Sequence, residues 1–394
     1  MKRKAVALSG AGASAEAMKQ INPDVVAAYP ITPQTLIMDT FCEFVADGDV
    51  DTEMILAESE HSAMSACVGS SAAGARTMTA TAANGLALMW EIVYIAASDR
   101  LPIVMNVVNR ALSGPINIHC DHSDSMGCRD AGWIQLFSEN AQEAYDNTIM
   151  AVKIAENKNV LLPVMVCQDG FITSHAVERA DILDKKTVQK FIVPFNGGHH
   201  PLLNIDKPVT SGPLDFFDYY FEHKRQQIEA MENAKAVIPQ VFKEYSKLTG
   251  ENYDFFEGYR LEDADVAIVV LNSSAGTAKY VVNELREQGR NVGVLKIRVF
   301  RPFMQNKIVD MLKHVKALAV LDRSASFGGF GGPVFNEVRS SFHEVYDQKP
   351  AIINYIYGLG GRELSVEMIK QVFNELESVK EGKLGERVRY LGVR

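Results

Sequence analysis

Through about residue 180, short runs of apolar residues alternate with helix-forming stretches. Residues 5–8, 25–29, 53–56, 77–81, 101–108 and 162–166 read as strands. Residues 11–20, 35–46, 62–74, 86–97 and 141–156 read as the helices between them. Strands that are apolar throughout and separated by helices belong in a parallel sheet covered on both faces. Open sheets of this kind gather ligands at the carboxyl ends of their strands. The loops leaving those strands are therefore where chemistry is to be sought.

The alternation breaks near residue 184. Residues 192–217 carry Pro194, the stretch Asn196-Gly197-Gly198-His199-His200-Pro201, then Pro208, Gly212 and Pro213, and read as an extended arm. Residues 218–250 read as an amphipathic helix through Tyr219, Ile228, Met231, Ala234 and Val237. A second α/β unit follows, with strands at 266–271, 292–297, 317–321 and 351–357 and helices at 276–288, 304–314, 332–344 and 365–376. The domain division is thus 1–185, 186–258 and 259–394, with the polar tail from Lys380 as a surface extension.

Composition narrows the class. Hydrophobic residues make up 47% and charged residues 23% of the 394, as in ordinary globular proteins. The longest apolar runs fall well short of the ~20 residues of a membrane span. Met1-Lys2-Arg3-Lys4 is followed by too short an apolar stretch for a secretory signal, so the expected location is the cytoplasm. A formal charge of −9, without a dense Lys/Arg block, excludes a polyanion groove and hence nucleic acid as partner. Cys42, Cys67, Cys120, Cys128 and Cys167 are scattered, without a Cys-x-x-Cys, and read as free thiols with no spacing for an iron–sulfur cluster.

Several loops carry candidate chemistry. In Tyr29-Pro30-Ile31-Thr32-Pro33-Gln34-Thr35 two prolines stiffen the backbone and fix where Thr32 points, either as a polar contact for a carbonyl or carboxylate or as a plain helix cap. Glu60 stands where the strand at 53–56 gives way to a small-residue helix. It can cap that helix or serve as an acid–base group. Arg110 follows the strand at 101–108, suited to a bidentate grip on a carboxylate or to a structural ion pair. His119-Cys120-Asp121-His122-Ser123-Asp124 holds metal-ligand types, but the spacing matches no tetrahedral zinc pattern and reads as a polar site loop. No metal site is assigned. Gly10-Ala11-Gly12-Ala13-Ser14-Ala15 matches a dinucleotide fingerprint with Ala in third place, yet the next strand ends at Tyr29-Pro30 without the expected acid. A tight packing turn is the other reading. Gly328-Gly329-Phe330-Gly331-Gly332 lacks the Lys-Ser/Thr ending of a P-loop and reads as a packing loop against a partner chain.

Tyr29-Pro30-Ile31-Thr32-Pro33, Glu58-Ser59-Glu60-His61-Ser62-Ala63, Thr81-Ala82-Ala83-Asn84-Gly85-Leu86 and Asn109-Arg110-Ala111 occur together with Gly114-Pro115-Ile116-Asn117, Gly132-Trp133-Ile134-Gln135 and Asp169-Gly170-Phe171. Over essentially its whole length the chain resembles the α subunits of 2-oxoacid:ferredoxin oxidoreductases, specifically those acting on pyruvate. The resemblance implies a thiamine-diphosphate-binding fold, with a pyrimidine-type domain built on a parallel sheet with helices on both faces, followed by a transketolase C-terminal-like α/β domain that serves assembly. It implies that Glu60 hydrogen-bonds the aminopyrimidine ring of thiamine diphosphate and so activates the cofactor. Thr32 and Arg110 are implied as substrate contacts, Arg110 pairing the pyruvate carboxylate, and Asn84 as a cofactor contact. The chain has no Gly-Asp-Gly to hold Mg²⁺ and the diphosphate. The family implies that a β-type chain supplies these together with a [4Fe-4S] cluster. A δ-type ferredoxin-like chain with further clusters and a γ-type chain complete the complex, with ferredoxin, pyruvate and CoA as reaction partners. Branched-chain or other 2-oxoacids are the alternative substrates. A nicotinamide-dependent oxidoreductase and an inactive structural partner are the remaining alternatives.

Overall fold

The computed structural model describes residues 3–195, 197, 201–343 and 349–394. Two sheets dominate it. The first has seven strands in the order Val299–Arg301, Ile134–Ser138, Val164–Asp169, Val104–Asn109, Thr77–Thr81, Val25–Ala28 and Glu53–Leu56. All pairings are parallel except that of Val299–Arg301, which runs antiparallel to Ile134–Ser138. The interior strands Thr77–Thr81, Val104–Asn109 and Val164–Asp169 are buried at every residue, which accounts for their apolar runs without alternation. Chain order reverses beside Val25–Ala28. From it the chain moves outward to Glu53–Leu56, then returns across it to Thr77–Thr81. That reversal opens a crevice at the carboxyl edge.

The second sheet has the order Val388–Leu391, Ala351–Tyr357, Ala317–Asp322, Val266–Leu271, Val292–Ile297 and Phe256–Tyr259, antiparallel only at the last pair. Strand Lys4–Ser9 does not join the main sheet, as strict alternation suggested. It pairs antiparallel with Val177–Ile182 in a two-stranded ribbon. The tail read as a surface extension from Lys380 folds back as the edge strand Val388–Leu391. The loop expected before residue 141 contains the strand Ile134–Ser138 and the short helix Ser123–Gly127. Of the expected arm, Asn196, Gly198, His199 and His200 lie outside the described residues, as does Glu344 at the end of the expected helix at 332–344. The remaining arm is irregular through 219 and projects Ile205 and Phe217 outward, at 90% and 100% exposure. It leads into the helix Tyr220–Thr249, whose Ala230, Ala234, Val237, Val241 and Tyr245 are buried at helical spacing. No helix among the described residues is long and apolar enough to cross a membrane.

A buried charge network joins the two sheets. Lys296 donates to Glu143 at 2.6 Å, Glu139 at 2.7 Å and Glu257 at 2.6 Å, while Arg298 donates to Glu143 at 2.6 Å. Glu139 and Glu143 belong to the first unit, Lys296, Arg298 and Glu257 to the second. Burial alone would raise the Glu143 carboxyl, but Arg298 and Lys296 overcome it and hold it well below the usual range. A carboxylate so depressed contributes stability that is fully present above the unfolded glutamate value and is lost as pH falls below it. Glu143→Ala should cost ~3–5 kcal/mol, since it removes the buried carboxylate that Lys296 and Arg298 share. The loss is measured by urea denaturation near neutral pH and should shrink toward pH 3.

Candidate active site

The Ser59 hydroxyl caps the helix Glu60–Ala73 by accepting from the Ser62 amide at 3.3 Å. Glu60 is therefore the first helical residue and not the cap. The residue is buried, 7% exposed, and its carboxylate has no hydrogen-bond or ion-pair partner among the described residues. Beside it, the Thr81 hydroxyl at the end of its strand is also buried and unpartnered. Both flank Gly85. A Cβ there would lie 2.5 Å from Thr81 Oγ1 and 2.8 Å from Glu60 Oε1, so only glycine leaves the two groups in place. A buried carboxylate without a donor is costly, and a buried hydroxyl without a partner adds to that cost. The pair suits a polar ring that brings its own donors and acceptors.

Arg110 follows the neighbouring strand Val104–Asn109 and is buried, 6% exposed. Its Nε donates to the Asn117 carbonyl and its Nη1 to the Thr32 carbonyl, both at 2.8 Å. Among the described residues it forms no ion pair, which removes the structural reading of a buried salt bridge. A guanidinium anchored on two carbonyls keeps its charge available for an incoming anion. Thr32 thus meets Arg110 through its backbone, while its exposed hydroxyl makes no hydrogen bond among the described residues.

Asn84 is spent on the loop opposite. Its Oδ1 accepts from the Ser113 amide at 3.1 Å and its Nδ2 donates to Ser113 Oγ. The carboxylate of Asp124 ties these pieces together. One oxygen accepts from the Ala83 and Arg110 amides, both at 3.0 Å; the other accepts from Asn109 Nδ2 at 2.8 Å and the Ser125 amide at 2.7 Å. Burial pushes Asp124 up to about 6 against the pull of these donors. In sequence it was one polar residue among several. The same Ala83–Gly85 turn carries Asp124's amide contact at one end and abuts Glu60 at the other. Glu60, Thr81, Thr32, Arg110 and Asn84 therefore share one carboxyl edge.

The carboxyl edge of the second sheet faces the first. Asp169, at the end of its strand, accepts from His122 Nε2 at 2.8 Å, Asn272 Nδ2 at 2.9 Å, Arg323 Nη1 at 3.1 Å and Cys120 Sγ at 3.3 Å, and also from Ser273. Burial opposes its charge, but His122 and Arg323 hold the carboxyl far below its usual range. Cys120, His122 and Asp169 converge closely enough to suggest a metal, yet the Asp169 oxygens are already taken by these donors. Asn272 and Ser273, plain turn residues in sequence, had no local signal for this role.

The first glycine motif packs internally, and the second does so at Gly331 and Gly332 while its Gly328, Gly329 and Phe330 are exposed. The Gly10 and Ala11 amides donate to the Thr173 and Ser174 carbonyls at 2.9 and 3.1 Å, and the Gly12 amide donates to Ser9 Oγ at 3.1 Å. A helix start so occupied, after a strand outside the main sheet, offers a pyrophosphate nothing, and the nicotinamide reading loses its anion site. At the second motif, the Asp322 carboxylate accepts from the Val334 and Phe335 amides at 2.8 and 3.0 Å, and a Cβ on Gly332 would lie 2.2 Å from its carbon. Gly331 and Gly332 thus pack against their own chain.

Gly85→Ala should force Glu60 and Thr81 apart and destabilise the chain by ~1–3 kcal/mol. Chemical denaturation of the purified chain measures it.

Comparison with known proteins adds the following. The family described as "Pyruvate flavodoxin/ferredoxin oxidoreductase, thiamine diP-bdg" matches residues 16–243, and "Pyruvate:ferredoxin oxidoreductase core domain II" matches residues 264–369. The chain is 58% identical to the pyruvate synthase subunit PorA of Thermotoga maritima, covering 99% of this chain and 98% of that one. It is 47% identical to PorA of Methanocaldococcus jannaschii, covering 95% of each. It is 42% identical to the ketoisovalerate oxidoreductase subunit VorA of Pyrococcus abyssi, covering 97% and 96%. Among solved structures, a 2-oxoglutarate:ferredoxin oxidoreductase from Magnetococcus marinus superposes with a TM-score of 0.72 at 20% identity, over 95% of this chain and 66% of that one. A split-gene transketolase superposes with a TM-score of 0.54 at 13% identity, over 97% and 100%. At those identities the two structures speak for the fold.

Proposed function

The chain belongs to the 2-oxoacid:ferredoxin oxidoreductase family as an α-type subunit, and from that premise we propose that it supplies the pyrimidine half of a thiamine diphosphate site for the oxidation of pyruvate. The reaction joins pyruvate and CoA into acetyl-CoA and CO₂ and delivers two electrons to ferredoxin, and it is reversible. The observation that carries this reading is the unpartnered Glu60 carboxylate on the same sheet edge as the unpaired Arg110 guanidinium.

The residues fit the cofactor's pyrimidine end. Glu60 would hold a hydrogen bond to a ring nitrogen, and Thr81 Oγ1, on the other side of Gly85, would be a second polar contact. Asn84, through Ser113, holds the turn beside them. When bound, thiamine diphosphate supplies the carbon nucleophile and electron sink that decarboxylation requires. Glu60 shares a proton with the ring, and burial among small residues keeps water from competing for it. Arg110 grips the substrate carboxylate through the donors its two carbonyl anchors leave over, and the Thr32 hydroxyl is a further substrate contact.

The remaining parts are assigned to other chains. Mg²⁺, the diphosphate and a [4Fe-4S] cluster are placed on a β-type subunit, further clusters on a δ-type ferredoxin-like subunit, with a γ-type subunit completing a cytoplasmic complex. Within this chain, residues 1–185 are assigned as the pyrimidine-type unit, 186–258 as arm and helical linker, and 259–394 as the transketolase C-terminal-like unit. A branched 2-oxoacid is the second reading, favoured only by the ketoisovalerate relatives, at 42% identity against 58% for a pyruvate relative.

In the assembled complex, Glu60→Gln should lower pyruvate-dependent ferredoxin reduction by ~10²–10⁴-fold while the subunits still co-purify. Near-parental turnover would remove Glu60 from the chemistry. Arg110→Ala should raise the pyruvate KM by ~10²-fold or more, the size expected for a lost charge-assisted pair. An unchanged KM would take Arg110 out of the site.

A further inference from the structure

Arg110 is aimed by a loop that the second α/β unit holds. The loop 111–119 closes at its base through the Ala111 amide, which donates to the His119 carbonyl at 3.0 Å. Residues 112–116 of its outer part are all exposed, with Ile116 at 77%. Its returning leg carries Asn117, half-buried, whose carbonyl is the acceptor for Arg110 Nε. Whatever fixes Asn117 therefore fixes one of the two anchors of the guanidinium, the other being the Thr32 carbonyl.

Two side-chain contacts fix it. Asn117 Oδ1 accepts from the His119 amide at 2.7 Å, a local turn within the loop. Asn117 Nδ2 donates to the Gly360 carbonyl at 3.0 Å, across 243 residues of sequence, and this contact belongs to the second unit. The turn that offers the carbonyl is Gly358-Leu359-Gly360-Gly361, and its three glycines all have positive φ, at 64°, 61° and 81°. Side chains are excluded there on steric grounds as well. A Cβ on Gly360 would lie 2.5 Å from Asn117 Nδ2, and one on Gly361 2.3 Å from the His119 Cβ. The Gly360 amide in turn donates to Asp121 Oδ2 at 3.2 Å, pinning the turn to the far side of the same loop. The turn's backbone thus meets the loop at Asn117 and at Asp121, with glycine at each point of close approach.

We propose that Asn117 is a positioning residue for substrate binding: the Gly358–Gly361 turn clamps its amide, and its carbonyl thereby aims Arg110 at the substrate carboxylate. This rests on the reading of Arg110 as the carboxylate grip. It gives the second unit a part in substrate affinity, where resemblance alone assigned it to assembly.

The test uses the reconstituted complex with pyruvate as varied substrate. Asn117→Asp keeps the acceptor for the His119 amide but turns an oxygen toward the Gly360 carbonyl, so it cuts the link between units and spares the local turn. Its pyruvate KM should rise about tenfold with kcat within about threefold of the parent, the signature of weakened substrate binding. Gly360→Ala should reproduce that split from the other side, and the KM for CoA should stay at the parental value in both. Because Asn117 acts through Arg110, adding Asn117→Asp to Arg110→Ala should raise KM no further. A pyruvate KM within about twofold of the parent in Asn117→Asp would overturn the proposal, as would a fall in kcat at unchanged KM or additive penalties in the double variant. If Arg110→Ala alone left KM unchanged, the premise about Arg110 would fail and the proposal with it.

Discussion

A fully buried carboxylate, Asp169, sits where the two sheets of this protein turn their carboxyl ends toward each other. Taking such a charge out of water costs several kcal/mol even after relaxation, and the cost is offset only because donors arrive from both sides. His122 and Cys120 come from the first unit, Asn272, Ser273 and Arg323 from the second. The interaction is directional, so it fixes a register between the units as well as holding them together. The loop 111–119 runs directly into His122 by way of Cys120, which is how the register reaches Arg110. At the other seam, the Lys296–Glu143 network does similar work without touching the site. In both clusters the carboxylates are matched by cations or amide donors.

The candidate site is finished on one side and unfinished on the other. Arg110, Asn84 and Asp124 are each fixed by hydrogen bonds, whereas the Thr81 hydroxyl is buried without a partner and the Glu60 carboxylate has none among the described residues. Folded chains seldom leave such groups unsatisfied unless something else completes them. Exposed Leu56 ends the strand before Glu60, exposed Leu88 lies in the helix that carries Gly85, and exposed Trp90 starts the next helix. The combination fits a subunit whose chemistry begins only when cofactor and neighbouring chain close over it.

Much of this was legible in the sequence, and the exceptions have a common cause. Strands buried on both faces announce themselves as apolar runs, so Val266–Leu271, Val292–Ile297 and Ala351–Tyr357 were read to the residue. Edge and ribbon strands do not. Val177–Ile182 carries Glu178 and Arg179 on exposed positions, Val388–Leu391 carries a half-buried Arg389, and no apolar period marks either. Ile134–Ser138 escaped because Gln135 interrupts it, although that side chain is buried and donates to the Ser125 carbonyl. In the site, Glu60 and Arg110 were visible because each directly follows a strand-like run. The roles of Asp124, Asn272 and Gly360 were not, because each depends on a partner tens to hundreds of residues away. Local sequence reports what a residue can do; which neighbour it finds is a property of the fold.

The strand Val299–Arg301 has a consequence for how the chain is made. It covers the outer edge of the first sheet, beside Ile134–Ser138, yet it lies about 160 residues further on in the chain. During synthesis the first unit emerges with that edge bare and with Asp169 lacking Arg323. A bare edge invites pairing with other chains, and a nascent domain whose carboxylate has only part of its partners is not at its final stability. The N-terminal unit must therefore wait for the C-terminal one, and the order of the gene is not the order in which its parts become secure.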